Sequence, residues 1–299
     1  MQSLRTWLIA LRPVSFTASV IPVLVGTAIA AQHEFHAGLF VLALLGSIAI
    51  HAGTNLVNDY FDHVKGTDNE ESLGQSGVIQ RGLLSPRAVL TGGIVAFAVG
   101  AIIGLAITAL VGWPVLALGI ASVAAGYFYT ASPFSLAYRG LGEVVVFVFM
   151  GPVIVMGAYY VQTEAWAWEP FVASLPIGLL VAAILHANNV RDIENDRRNS
   201  KWTLAALAGR PAADYEFVAL MLGAYGIVIA MAIAGTAPWP VLLTLLSLPI
   251  ALRIVRLEAG SSTARGLNVV LAQTAGLHML FGVLLAVGFV VAVWTGIDY

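Results

Sequence analysis

The sequence predicts an all-α fold, a polytopic membrane bundle of nine transmembrane helices with its N-terminus in the cytoplasm. Three observations carry that prediction. First, the 299 residues are 59% apolar and only 10% charged, where a soluble domain has roughly 25% charged and roughly 45–50% apolar residues. With a mean hydropathy of +0.89, the chain carries more apolar surface than a soluble globule of this length can enclose. Second, apolar stretches of about 20 residues, the length that crosses hydrocarbon, recur from end to end. Third, all 14 lysines and arginines fall on one side of a nine-span map. The same composition excludes a soluble enzyme and a disordered chain. A net charge of −2 excludes a nucleic-acid binder, which needs a strong basic excess. Without cysteine there are no disulfides, thiolate metal sites or cysteine nucleophiles.

The first span, 13–32, opens at Arg12-Pro13, where proline in the first turn lacks only an N–H that has no helical partner. Arg5, Arg12 and Ala28-Ile29-Ala30 imitate a signal peptide, but the run is longer than a signal's apolar core and contains Pro22. Eight further spans follow, at 37–57, 88–111, 113–131, 140–161, 170–189, 216–235, 238–256 and 270–295. Arg5 and Arg12 precede the first span, Lys65, Arg81 and Arg87 follow the second, and Arg139 follows the fourth. Arg191, Arg197, Arg198, Lys201 and Arg210 follow the sixth, and Arg253, Arg256 and Arg265 lie between the last two. The opposite loops, such as 33–36 and 162–169, carry none. The positive-inside rule then sets the N-terminus and the basic loops in the cytoplasm of a bacterial-type membrane, and the C-terminus outside. A single transmembrane domain covers 1–299. Helices 1–4 and 5–8 are a possible duplicated unit with helix 9 added, because an Asn-x₃-Asp unit ends helix 2 and another ends helix 6.

More than half of the 16 acidic residues lie in two loops, 58–87 and 190–215, both on the basic side. In the first cluster, Asn55, Asn58, Asp59 and Asp62 recur at three and four residues and share a helical face, with Gly66 and Asp68 beyond. In the second, Asn188 or Asn189 shares a face with Asp192 and Asp196. Carboxylates stacked a turn apart repel one another, and desolvation at the edge of hydrocarbon raises that cost. They also oppose the dipole at a helix C-terminus, so capping does not explain them. A divalent cation removes the penalty, and an all-oxygen donor set favours Mg²⁺ with substrate phosphates. Arg81 in Gln80-Arg81-Gly82 and Lys201 in Lys201-Trp202-Thr203 are candidate phosphate ligands; the other basic residues are accounted for by topology. Glu70, Glu71 and Glu194 read as solvated loop charges. His51 and His186 read as hydrogen-bonded bundle residues, with an acid–base role as the alternative.

At these residues the sequence resembles the UbiA family of intramembrane polyprenyltransferases. The family's paired aspartate motifs read here Asn58-Asp59-Tyr60-Phe61-Asp62 and Asp192-x₃-Asp196. Leu11-Arg12-Pro13, Lys65-Gly66-Thr67-Asp68, Tyr129-Thr130, Tyr138-Arg139-Gly140-Leu141-Gly142-Glu143 and Asn188-Asn189-x-Arg191 make it most similar to the MenA branch, the 1,4-dihydroxy-2-naphthoate polyprenyltransferases. One position departs: Gly66 stands where the family has a third carboxylate, with Asp68 two residues on. The resemblance implies transfer of a polyprenyl group from an allylic diphosphate to an aromatic acceptor, dihydroxynaphthoate, with loss of CO₂. It also implies Mg²⁺ held by Asp59, Asp62, Asp192 and Asp196, with Asp68 as a further ligand. Asn55, Asn58, Asn188 and Asn189 would complete coordination or orient water; Arg81, Arg139 and Lys201 would lie near the substrate. Tyr129, Phe134, Tyr138 and Phe147 are candidate aromatic faces for an allyl cation, against the plainer reading as interfacial anchors. A 4-hydroxybenzoate prenyltransferase of the same family is the nearest alternative. A secondary transporter is a more distant one, and it would want charged residues at mid-span, where this chain has no Asp, Glu, Lys or Arg.

Overall fold

The computed structural model describes residues 3–69 and 76–297. Among them all regular structure is helical, and eight helices are long and apolar enough to cross a membrane: α1 Pro13–Ala30, α2 Ala37–Val64, α3 Pro86–Val111, α5 Gly142–Thr163, α6 Trp168–Arg191, α7 Arg210–Ala234, α8 Trp239–Ala259 and α9 Ala264–Thr295. The remaining apolar segment, α4 Pro114–Phe128, has 15 residues. At 1.5 Å per residue it spans about 22 Å, short of the roughly 30 Å of hydrocarbon. The sequence expectation of nine comparable spans thus becomes eight long helices and one short one.

Boundaries differ most where the polar motifs sit. The second span runs to Val64 rather than 57, so Asn58, Asp59 and Asp62 are helical and not in a loop. Hydropathy underestimated its length because carboxylates lower it, while the backbone continues to Lys65, whose N–H bonds the Phe61 carbonyl at 2.9 Å. Likewise α7 begins at Arg210 rather than 216, and α9 at Ala264 rather than 270.

A core built from α1, α5, α6, α7, α8 and α9 encloses Ile29, Ile177, Phe217, Met221, Phe281 and Phe289. Small residues let these helices close: a Cβ on Gly26 of α1 would strike the Val155 carbonyl of α5. Helix α5 widens to a π-turn at Phe149–Val153, which contains Pro152; proline has no N–H to bond, and wide turns accommodate that defect. On the motif side, the short helix Leu4–Leu11 buries Ala10 with Leu56 of α2, Val89 of α3 and Val78, Ile79 and Leu84 of the connecting loop. A second small cluster, Val190, Ile193, Ala205, Ala213 and Leu267, fixes the segment after α6. These two clusters position the polar loops.

Candidate functional site

A cavity of about 870 Å³ runs between α1, α2, α3, α4, α5 and α6. Most of its depth is apolar, with Leu105, Ile120, Val146, Met150, Val161 and Leu185 on its walls. Its polar end holds Asn55, Asn58, Asp62, Asp68, Asn188, Asn189, Asp192 and Lys201. Residues from both motifs therefore meet at one end of one cavity.

Each carboxylate is held by a different set of partners. The Arg12 guanidinium forms an ion pair with Asp59 and the Ser76 hydroxyl donates to it, so Asp59 is buried behind the cavity wall. Arg12 adopts a left-handed conformation, φ 55°, at the break between Leu4–Leu11 and Pro13. Asp62 accepts from Asn58 Nδ2 at 2.8 Å and from the Tyr138 hydroxyl at 2.6 Å. Asp192 is gripped by Arg191, Nε to Oδ1 at 2.7 Å and an Nη to Oδ2 at 2.5 Å. Arg191 is itself fixed on Asn188 Oδ1 at 2.9 Å and on Asn268 Oδ1 of α9 at 2.7 Å. Asp196, fully buried, accepts from the Thr203 hydroxyl at 3.3 Å and has Lys201 Nζ at 3.4 Å. The two clusters are tied directly, since Asn195 Nδ2 donates to the Thr67 carbonyl at 3.1 Å, and Thr67 Oγ1 lies 2.7 Å from the Tyr138 hydroxyl.

Gly66 takes φ +77°. That left-handed turn, open to glycine without strain, folds the chain back so that the Asp68 N–H reaches the Asp62 carbonyl at 3.1 Å. Asp68 is thereby returned to the cavity wall. Where the motif pattern has a carboxylate at position 66, this chain has the turn that brings Asp68 in.

The charges at this end perturb one another. Burial and the Asp62 carboxylate push Asp68 up to about 6. Burial, opposed by Lys201 and helped by Asp192, likewise pushes Asp196 up to about 6. Burial alone would lower the Lys201 ammonium, but Asp62, Asp196, Asp192 and Asp68 outweigh it and raise it. The Tyr138 phenol is pushed upward by burial and by Asp62, so it keeps its proton and donates it in the bond to Asp62. The Tyr129 phenol is pushed up in the same way, by burial and then Glu143.

The structure does not bring every predicted residue together. Arg81 is exposed, with its side chain packed near Gly77, and does not line the cavity. Arg139 is exposed and donates to the Pro133 carbonyl at 2.9 Å. Of the aromatic candidates, Tyr129 lines the cavity. Phe134 is 52% exposed, and Phe147 packs where a Gly178 side chain would be. Tyr127, Phe128 and Phe149 line the cavity instead. His51 is on the wall with Nδ1 2.7 Å from Ser19 Oγ. Glu70 and Glu71 lie outside the described residues. Sequence reasoning missed Ser76, Thr67 and Thr203 and assigned Arg12 and Arg191 to topology. The available signals were the Arg-Pro break, which needed a buried counter-charge for Arg12, and the adjacency of Arg191 to Asp192.

The profile of the UbiA prenyltransferase family matches residues 19–269. The chain belongs to that family. It is 33% identical over 283 residues to the 1,4-dihydroxy-2-naphthoate octaprenyltransferase of Bacillus subtilis, covering 94% of this chain and 91% of the relative. It is 34% identical over 293 residues to the protein of the same name from Mycobacterium tuberculosis, covering 96% and 97%. UbiA prenyltransferase domain-containing protein 1 of Xenopus tropicalis is 31% identical, covering 97% and 83%. The UbiA fold is also that of solved structures. A UbiA homolog from Archaeoglobus fulgidus bound to GPP and Mg²⁺ superposes with a TM-score of 0.67 at 16% identity, covering 94% of this chain and 99% of that one. The apo UbiA homolog from Aeropyrum pernix K1 gives 0.69 at 16% identity, covering 92% and 97%.

Proposed function

We propose that this chain transfers a polyprenyl group from an allylic diphosphate to 1,4-dihydroxy-2-naphthoate, with loss of the acceptor carboxylate as CO₂, in menaquinone biosynthesis. The observation that carries the reaction is the convergence of both aspartate motifs on the polar end of one deep apolar cavity. The acceptor rests on the relatives that carry its name at 33% and 34% identity.

The polar end fits Mg²⁺. Its donors are carboxylate and amide oxygens, which Mg²⁺ prefers, and Asp68 and Asp196 are pushed up in part by neighbouring carboxylates whose repulsion a cation would relieve. Asp62, Asp68 and Asp192 would hold the ion from the cavity wall, with Asp59 and Asp196 behind them. When bound, Mg²⁺ supplies positive charge to the departing diphosphate. Lys201 and Arg191 line the same end and supply fixed cationic donors for the diphosphate oxygens. Tyr138 holds Asp62, and Asn58 holds it from the other side, so that carboxylate is set before substrate arrives. The apolar walls take the prenyl tail and keep water from the allylic carbon as its C–O bond breaks. Tyr129, Phe128 and Phe149 turn aromatic surface toward that space, which stabilises positive charge without supplying a nucleophile as strong as water.

The basic residues gathered at this end favour a cytoplasmic active site and a cytoplasmic N-terminus. Helices α1–α4 and α5–α8 read as two four-helix halves, each contributing one motif, with α9 added.

The test is the purified protein in lipid, given a radiolabelled polyprenyl diphosphate with 1,4-dihydroxy-2-naphthoate or 4-hydroxybenzoate, with and without Mg²⁺. A Mg²⁺-dependent prenylated naphthoquinol with released CO₂ is expected. Turnover with hydroxybenzoate alone would overturn the acceptor, and no turnover with either would overturn the reaction.

A further inference from the structure

Behind the cavity wall lies a polar pair, Glu143 and His186, that the reaction above does not use. Glu143, on the first turn of α5, is 4% exposed; His186 and Asn189 of α6 are 0% and 3% exposed. Glu143 Oε1 accepts from Asn189 Nδ2 at 2.8 Å and lies 3.3 Å from His186 Nδ1. His186 Nε2 lies 2.9 Å from the Ala213 carbonyl of α7. A carbonyl only accepts, so Nε2 carries a hydrogen and donates it, which fixes the ring between α6 and α7. Glu216 Oε1 of α7 lies 3.6 Å from His186 Nδ1. Three helices therefore hold one carboxylate in place, and that carboxylate holds the amide of Asn189.

Asn189 is the member of this cluster that also lines the cavity. An amide has one donating and one accepting end. With its NH₂ committed to Glu143, the end it can offer elsewhere is Oδ1, and among the described residues no side chain or backbone group bonds that oxygen. An asparagine without such a partner could present either end, because the two differ little in shape. Burying a carboxylate oxygen without a hydrogen bond is costly. While Oε1 is bonded, Glu143 Oε2 is buried with no partner among the described residues, so a glutamate kept here at 4% exposure calls for a reason beyond packing.

We propose that Glu143 is a positioning residue that, braced by His186, orients Asn189 so that its carbonyl oxygen faces the polar end of the cavity as a fixed electron-pair donor to the cation–diphosphate group bound there. This deepens the prenyl-transfer reading and rests on it. Glu143 acts through Asn189 and does not touch the substrate. Glutamine can keep the Asn189 bond, because its oxygen takes the place of Oε1, the atom on which Asn189 Nδ2 and His186 Nδ1 both converge, while its NH₂ takes the place of Oε2, which has no hydrogen-bond partner among the described residues. Leucine cannot.

The experiment is a double-mutant cycle on the full-length protein in lipid with Glu143→Leu, Asn189→Leu, the double variant and Glu143→Gln. Two readouts are used: calorimetric affinity for a non-reactive prenyl diphosphate analogue with Mg²⁺, and kcat and KM for transfer. Each single leucine variant is expected to weaken the analogue about tenfold, and the double variant also about tenfold rather than about a hundredfold, because residues acting as one unit are not additive. Glu143→Gln is expected to stay within about threefold of the parent, as a retained hydrogen bond requires. Retention of cooperative thermal unfolding by the variants keeps folding separate from function. Additive losses, or a Glu143→Gln loss as deep as that of Glu143→Leu in folded protein, would overturn the proposal; the latter would mean that the charge acts directly. If the parent protein fails to prenylate any acceptor yet the analogue cycle is non-additive, the transfer reading falls and the positioning role stands.

Discussion

The two aspartate motifs have similar spacing but are held in opposite ways. Just beyond the end of α6 the support is mostly local: Asp192 is clamped by its neighbour Arg191 and Asp196 by Lys201 and Thr203. On α2 it comes mainly from far along the chain, with Arg12 and Ser76 on Asp59 and Tyr138 on Asp62. The carboxylates of the second motif are therefore held directly by chain neighbours, with long-range ties only one step removed, through Arg191 to Asn268 and Asn195 to Thr67, whereas those of the first are held directly by the tertiary fold. Damage to distant elements should reach the α2 side and spare the α6 side.

That contrast can be broken or sharpened by substitution. The largest effect is expected from Asp192→Asn, which removes charge at nearly constant shape; transfer should fall by about a hundredfold or more, as when a charge-stabilising group is lost, while membrane insertion is unchanged. Equal activity in that variant would remove the α6 motif from the site. Next is Tyr138→Phe, which deletes one hydrogen bond to the Asp62 carboxylate. Bonds to charged groups contribute about 1.5–3 kcal/mol, so kcat/KM should drop by about tenfold or more, with no change in the folding of the segment after α6. The pH dependence is expected to be smaller. Asp68 and Asp196 are pushed up to about 6, so protons compete with a cation as pH falls through that value. Mg²⁺ affinity, titrated on the donor-free protein, should be full above about pH 7 and decline below about pH 6; a flat profile between pH 7 and 5 would remove these carboxylates from cation binding. The smallest effect is expected from Arg265→Gln, an exposed residue at the start of α9, which should leave turnover within about twofold, in line with other exposed charges.

The same contrast explains what could be read from the sequence. The fold class was legible because a bilayer imposes length and hydropathy on every span; the 15-residue α4 fell short of the expected length, and α2, α7 and α9 ran beyond it at their polar ends. The acids were legible because charge is rare in this chain, and their spacing placed Asn55 with Asp59 and Asn188 with Asp192 on common faces. Their partners were less so. Arg12 is 47 positions from Asp59, and Tyr138 is 76 from Asp62; periodicity carries no information over such separations. Arg81 in a glycine-flanked polar loop looked like a phosphate ligand by local composition, yet it lies on the exposed side. Gly66 looked like a missing ligand, but its φ of +77° is what returns Asp68 to the wall. Residue type alone cannot show a backbone turn.

The central claim is that the two motifs close one cation–diphosphate site. It is tested most directly by titrating Mn²⁺, observed by electron paramagnetic resonance, into the purified protein with a prenyl diphosphate analogue, for the parent, Asp62→Asn, Asp192→Asn and the double variant. A shared site predicts that either single substitution lowers affinity by about 10–100-fold and that the double variant loses little more. Loss from one motif with the other titrating as in the parent would contradict the account.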